Sequence, residues 1–330
     1  MDLTARAGAT ARRAPFSGPA LWAVGLALAG CLGTQEIPRL ATVPVGQWPE
    51  DVVFDPGSGR LFVADEGSAT ITVLGWRGEK VGILRLTTRA RHLAVDPGTG
   101  HLYAPNEGSA VVAAFDTRDL TERFRVPVGR NPHGIAADAA SHRVFVGSEW
   151  EGSLTAFDGR SGRVLFAVPV GQGPGGVAVD PVTGRVFVVM VKEDRVTVVD
   201  ETGGRILARI PVGRGPTHLR VNPSTAIVYV LNTEEGSVTL LDGRGLSVLA
   251  TVPVGEYPIG IALDEEADRA YVVNNRADTL SIVDGRTRTV LATRRIPRNV
   301  SSAALNSQAG LLYLALKGDD RIALVPFRDM

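Results

Sequence analysis

From residue 40 onward, short runs of apolar and β-branched residues alternate with clusters rich in Gly, Pro, Asp and Asn. The runs are too short for helices and rich in Val, Ile, Phe, Tyr and Thr, so they predict strands. Residues 176–212 show one set: Gly176–Val179 (GVAV), the turn Asp180–Gly184, then Arg185–Val189 (RVFVV), Arg195–Val199 (RVTVV) and Arg205–Val212 (RILARIPV). In the turn, Pro presets φ and the Asp side chain can bond its own downstream backbone. Pro169, Pro211 and Pro253 fall in the fourth strand of their sets. A lost amide donor is tolerated there only if that strand is the outer edge of a sheet.

The set recurs. The aromatic of the second strand stands at Phe62, Tyr103, Phe145, Phe187, Tyr229, Tyr271 and Tyr313, in steps of 41 and then 42 throughout. The acid or amide that ends the first strand keeps the same steps: Asp55, Asp96, Asp138, Asp180, Asn222, Asp264 and Asn306. A third register, Asp116, Asp158, Asp200, Asp242 and Asp284, also steps by 42. Four strands in each of seven such units predict an all-β, seven-bladed β-propeller. The last unit supplies only three strands, Ser302–Leu305, Leu311–Leu316 and Arg321–Pro326. Leu40–Gly46 (LATVPVG) matches Leu249–Gly255, a fourth strand, residue for residue. The N-terminal segment is therefore expected to close the last blade.

The pattern P-V-G-x-x-P, then h-A-h-D, an aromatic strand and T-h-h-h-D resembles the YVTN β-propeller repeat family over residues 40–326. Tyr271-Val272-Val273-Asn274 and Tyr229-Val230-Leu231-Asn232 approach its namesake tetrad, whereas Phe187–Met190 and Phe145–Ser148 depart from it. The resemblance implies the fold and little about function.

Composition changes this picture at one end. Lys plus Arg and Asp plus Glu balance at 35 each, which argues against a nucleic-acid binder. Cys31 is the only cysteine, so no intrachain disulfide or cysteine-based metal site can form. It follows Arg6, Arg12, Arg13 and the apolar run Ala20–Gly30, which is too short to span a bilayer and fits a signal-peptide core. Leu28-Ala29-Gly30-Cys31 resembles the bacterial lipobox, where the cysteine thiol accepts a diacylglyceryl group and the chain is cut before that cysteine. The expected organisation is a signal peptide at 1–30, a tether at 31–38 and the propeller at 39–330. The protein is expected in the cell envelope, held to a membrane through lipidated Cys31, and monomeric.

In a propeller, the loops joining each fourth strand to the next blade, and the second strand to the third, surround one mouth of the channel. Trp48, Arg91, His92, His133, Arg214 and His218 fall in those loops or at the start of innermost strands. They are the candidate ligand-binding residues. A His and Arg ring could grip an anion or a metal; equally, these residues could only solvate a wet channel. The histidines belong to units two, three and five, so spacing does not require them to converge, and no H-x-x-x-H or H-E-x-x-H supports a metal. His101 and His142 read as surface residues of the opposite face. Trp150 occupies a loop slot that is Gly or polar in most units, as an exposed binding anchor would. The second-to-third-strand loops add acids such as Glu66, Glu107 and Glu149, predicting an acidic ring outside a more basic mouth. No nucleophile elbow, phosphate loop or dinucleotide fingerprint occurs, and no cofactor or catalytic residue is assigned. The reading is a binding or scaffold module for a protein, peptide or glycan. The alternative is a propeller enzyme, lactonase- or lyase-like or a dehydrogenase subunit, known by histidines and carboxylates converging in one pocket.

Overall fold

The computed structural model describes residues 35–36 and 41–327. These belong to one compact unit, Thr34–Met330, whereas Met1–Gly33 is a separate unit outside the described residues, and Cys31 with it. Among the described residues, seven sheets, each built on four antiparallel strands, follow one another along the chain. Their innermost strands are Pro49–Asp55, Ala94–Asp96, Pro132–Asp138, Pro174–Asp180, Pro216–Asn222, Pro258–Asp264 and Val300–Asn306. Among the described residues, no helix is long and apolar enough to cross a membrane.

The three sequence registers acquire physical roles. Asp55, Asp96, Asp138 and Asp180 each accept the amide two residues on, at 2.8–3.0 Å, so each locks the turn that follows its strand. Asp116, Asp158, Asp200, Asp242 and Asp284 do the same for the turn between third and fourth strands. The repeated aromatics are buried and fill the seams between blades. Phe62, Ile71 and Val73 of blade one, for example, meet Leu93, Leu102 and Phe115 of blade two. Seven such seams, the last joining blades seven and one, hold the ring together.

Closure is as expected. Ala41–Pro44 pairs antiparallel with the third strand of blade seven, Ala41 opposite Leu324 and Pro44 opposite Arg321. A further contact lies in the segment read as a tether. Gln35–Glu36 pairs in parallel with Arg294–Arg295 and adds a fifth strand to blade six. The outer strand of a blade has unpaired backbone groups that accept such an addition.

His101 and His142 are not plain surface residues. His142 Nδ1 lies 2.8 Å from the buried Asp96 carboxylate, and His101 Nδ1 lies 3.0 Å from the Gly159 carbonyl. They cross-link blades two and three on the face away from the candidate site, because each blade wedges its turn against its neighbour.

A polar cluster at the constriction of the channel

The first residues of six of the seven innermost strands carry a bulge, the blade-two strand beginning only at Ala94. A bulge leaves residues unpaired and re-aims side chains. The inward ring it creates reads Asp51, His92, Gly134, Gly176, His218, Gly260 and Ser302. Gly134 is dictated by proximity: a Cβ there would come within 2.0 Å of the Gly175 carbonyl of the next blade. Two residues on, the next inward ring reads Val53, Ala94, Ala136, Ala178, Arg220, Ala262 and Ala304. One long cation thus replaces a methyl group in an otherwise small, apolar ring.

The histidines converge. The His92 ring lies 4.5 Å from His133 and 4.9 Å from His218, centroid to centroid, edge-on to both. The channel is narrow enough that blades two, three and five meet across it. Asp51 backs the cluster, with Oδ2 3.8 Å from His92 Nδ1. Its carboxylate accepts the Val52 amide at 2.9 Å, the Leu93 amide at 3.0 Å and the Ser302 hydroxyl at 2.7 Å, joining blades one, two and seven. Arg220 donates one bond, from Nη1 to the Leu219 carbonyl at 3.1 Å.

Two cavities meet at this cluster. The outer one, about 470 Å³, is lined by Trp48, Glu50, Thr217, Tyr257, Asn275, Asn299, Ser301 and Lys317 among others. The inner one, about 220 Å³, is walled by Ala, Val and Gly of the innermost strands. Asp51, His92, His218 and Arg220 border both. His133 borders neither, and its buried Nδ1 has no hydrogen-bond partner.

Ion pairs run around the mouth and the wall of the outer cavity has two unlike sides, which corrects the expected acidic ring around a basic mouth. Acids and bases interleave on blades seven, one and two. Lys317 Nζ bridges Glu50 at 2.5 Å and Glu66 at 3.0 Å; Arg91 Nε contacts Glu66 at 3.0 Å and Glu107 at 3.4 Å; Arg89 Nε contacts Glu107 at 3.1 Å. Arg91 is thereby engaged with carboxylates. Blades five and six present Thr217, Thr233, Tyr257 and Asn275 instead. Arg214 is exposed and borders neither cavity. Trp48 and Trp150 are both exposed, but only Trp48 lines the outer cavity.

Trp48 and Tyr257 hold φ of 53° and 57°, at a corner where other blades place Asn131, Gly173, Gly215 and Asn299. Their carbonyls accept the amides of Glu66 and Asn275, a bond repeated in every blade. Left-handed backbone costs a residue with a Cβ about 1–2 kcal/mol. Glycine or Asn is the usual occupant. Two aromatics therefore stand at strained corners beside the cavity.

Burial sets the charge states. It pushes the His218 imidazole down to about 3, helped by His92 and Arg220 and opposed by Asp51. It also pushes His133 well below the usual histidine range, with His92, His218 and Arg91 adding to the effect. Burial alone would raise Asp51, but His92, Arg220 and Ser302 hold it below the usual carboxylate range. Burial lowers Arg220 and Asp51 opposes that; a guanidinium remains charged. One consequence is acid sensitivity. Below pH 6.5 the unfolded chain takes up a proton that folded His218 refuses until about pH 3. Stability is expected to fall as pH drops through that window, by up to about 1.4 kcal/mol per pH unit for each such histidine. Thermal melts from pH 7 to 4 check it, roughly spanning this window: His218→Gln should flatten the wild-type decline, and parallel curves would refute the assignment.

The sequence signal for Arg220 is an Arg in the second place of the h-A-h-D register, where five blades have Ala. Asp51 carries no sequence signal of its own, because its role as a hub depends on blade seven closing against blade one. Among the described residues, no set of three His, Cys, Asp or Glu is arranged to hold a metal ion.

The fold is widespread: 1576 solved chains match it. One is "Kuenenia stuttgartiensis Hydrazine Synthase", similar at TM-score 0.73 and 17% identity, covering 91% of this chain and 98% of that one. At that identity the likeness concerns architecture alone. The comparison with curated proteins gives no match. Residues 108–315, more than half of the chain, match the family model described as "Outer membrane protein assembly factor BamB", and the chain belongs to that family.

Proposed function

We propose that this protein is a lipid-anchored binding module of the cell envelope whose channel captures a small organic anion. The observation that carries the reading is Arg220. Of the five N–H donors of a guanidinium, only one meets an acceptor among the described residues. The facing carboxylate does not take the others: Asp51 accepts three hydrogen bonds, from blades one, two and seven, and none of them comes from Arg220. The acid of the pair is well supplied with donors and the base has few acceptors. A planar anion such as a carboxylate matches an open guanidinium fork. The outer cavity has the size of a small-molecule site. Trp48 and Tyr257 supply apolar walls for the body of the ligand, and the polar half of the mouth supplies orientation.

Calorimetric titration with a panel of small carboxylates tests this. Charge-assisted hydrogen bonds contribute about 1.5–3 kcal/mol, so Arg220→Met should weaken binding by roughly 10- to 100-fold. Equal affinity in wild type and variant would overturn the reading. The family description, with its outer membrane, supports an envelope location, and the lipobox-like Leu28–Cys31 supports the anchor. Cys31→Ser should move the protein from the detergent phase to the aqueous phase; unchanged partitioning would remove the anchor from the proposal.

A further inference from the structure

Resting on the anion reading, the inference concerns what else the ligand must carry, and it comes from the position of protons beside Arg220. The Pro258 carbonyl can only accept, so the Thr233 hydroxyl, 2.7 Å away, donates to it. A hydroxyl has one proton. Thr233 Oγ1 therefore accepts from Thr217, whose Oγ1 lies 2.5 Å away. Thr217 in turn has no proton left for His218 Nδ1, at 3.1 Å, and must accept from it. The relay thus fixes the proton of a neutral His218 on Nδ1. Its Nε2 is left as a bare lone pair that makes no hydrogen bond among the described residues, on a ring that borders both cavities.

We infer that the channel selects a hydroxycarboxylate, its carboxylate on Arg220 and its hydroxyl donating to His218 Nε2. His218 and Arg220 are two residues apart on one strand, so both side chains project from the same face. That places an anion receptor and a committed acceptor side by side. An ammonium donor is disfavoured at the acceptor, because the guanidinium beside it repels a second positive charge. A ligand without a donor leaves the imidazole lone pair desolvated and unpaired, and an unmade bond of that kind is the basis of discrimination.

The test uses matched pairs that differ by one hydroxyl, lactate against propionate and malate against succinate, titrated calorimetrically into the purified protein. The hydroxylated member is expected to bind about tenfold tighter. Thr217→Val breaks the relay and frees the imidazole to take either tautomer, so the preference for a protonated Nδ1 should be lost in its nitrogen-15 spectrum. Arg220→Met should weaken both members alike and preserve the ratio. Nitrogen-15 NMR of labelled wild-type protein reads the tautomer directly and does not depend on a variant folding: His218 should show a protonated Nδ1. Binding of both members with equal affinity, or a protonated Nε2, overturns the hydroxyl inference and leaves the anion site standing. Lack of binding by all four acids overturns both.

Discussion

A chain beginning at Gly46 is expected to lose cooperative unfolding, whereas one beginning at Glu36 keeps it. Residues 41–45 are the fourth strand of blade seven. They pair with Arg321–Leu324, and the Val45 amide donates to the Asp320 carbonyl at 3.0 Å. Val43 and Val45 pack on the seam between blades seven and one, beside Tyr313, Ile322 and Leu324. Deletion removes about four backbone hydrogen bonds at about 1 kcal/mol each. It also uncovers two partly buried valines, so the loss is roughly 5 kcal/mol. It exposes an unpaired sheet edge as well, which invites aggregation. Calorimetric scanning of the two chains decides it. A broadened transition at least roughly 10 °C lower is expected for the shorter one. The same midpoint and cooperativity in both would show that the strand is dispensable.

That closure was readable from sequence because it rests on local identity, LATVPVG repeated far along the chain. The fold was readable for the same reason. Each repeated residue solves a local problem: an Asp ends a strand and caps a turn, an aromatic fills a seam. The site was readable only in part. His92, His133 and His218 could be assigned to the mouth from their register. Their meeting depends on the width of the channel, which follows from how seven blades tilt and close. Arg91 looked available because Glu66 and Glu107 belong to loops that precede or follow it by many residues. Sequence spacing does not tell that they close over it. Arg220 was passed over because it sits inside a strand, where a charge is read as a solvent-facing exception. In a propeller the innermost strand has no solvent face except the channel, so a long cation there is a statement about the channel's contents.

The hub itself yields the second large effect. Asp51→Ala should destabilise the protein by about 3–5 kcal/mol, the cost of removing one partner from a buried charge pair. Three donors lose their acceptor together: the Val52 and Leu93 amides and the Ser302 hydroxyl. Arg220 loses the only opposing charge that offsets its burial. The two losses can be separated. Arg220→Met in the same chain removes the unpaired cation but leaves the three donors unsatisfied, so Asp51→Ala/Arg220→Met should recover part of the loss, not all of it. Arg220→Met alone should cost less than Asp51→Ala alone, because the remaining carboxylate keeps its three hydrogen bonds. A double-mutant cycle by urea unfolding measures the coupling, expected at about 1–3 kcal/mol. Additive effects of the two substitutions would mean that Asp51 and Arg220 do not sense each other. The donors gathered on Asp51 would then say nothing about the charge the channel is built to receive.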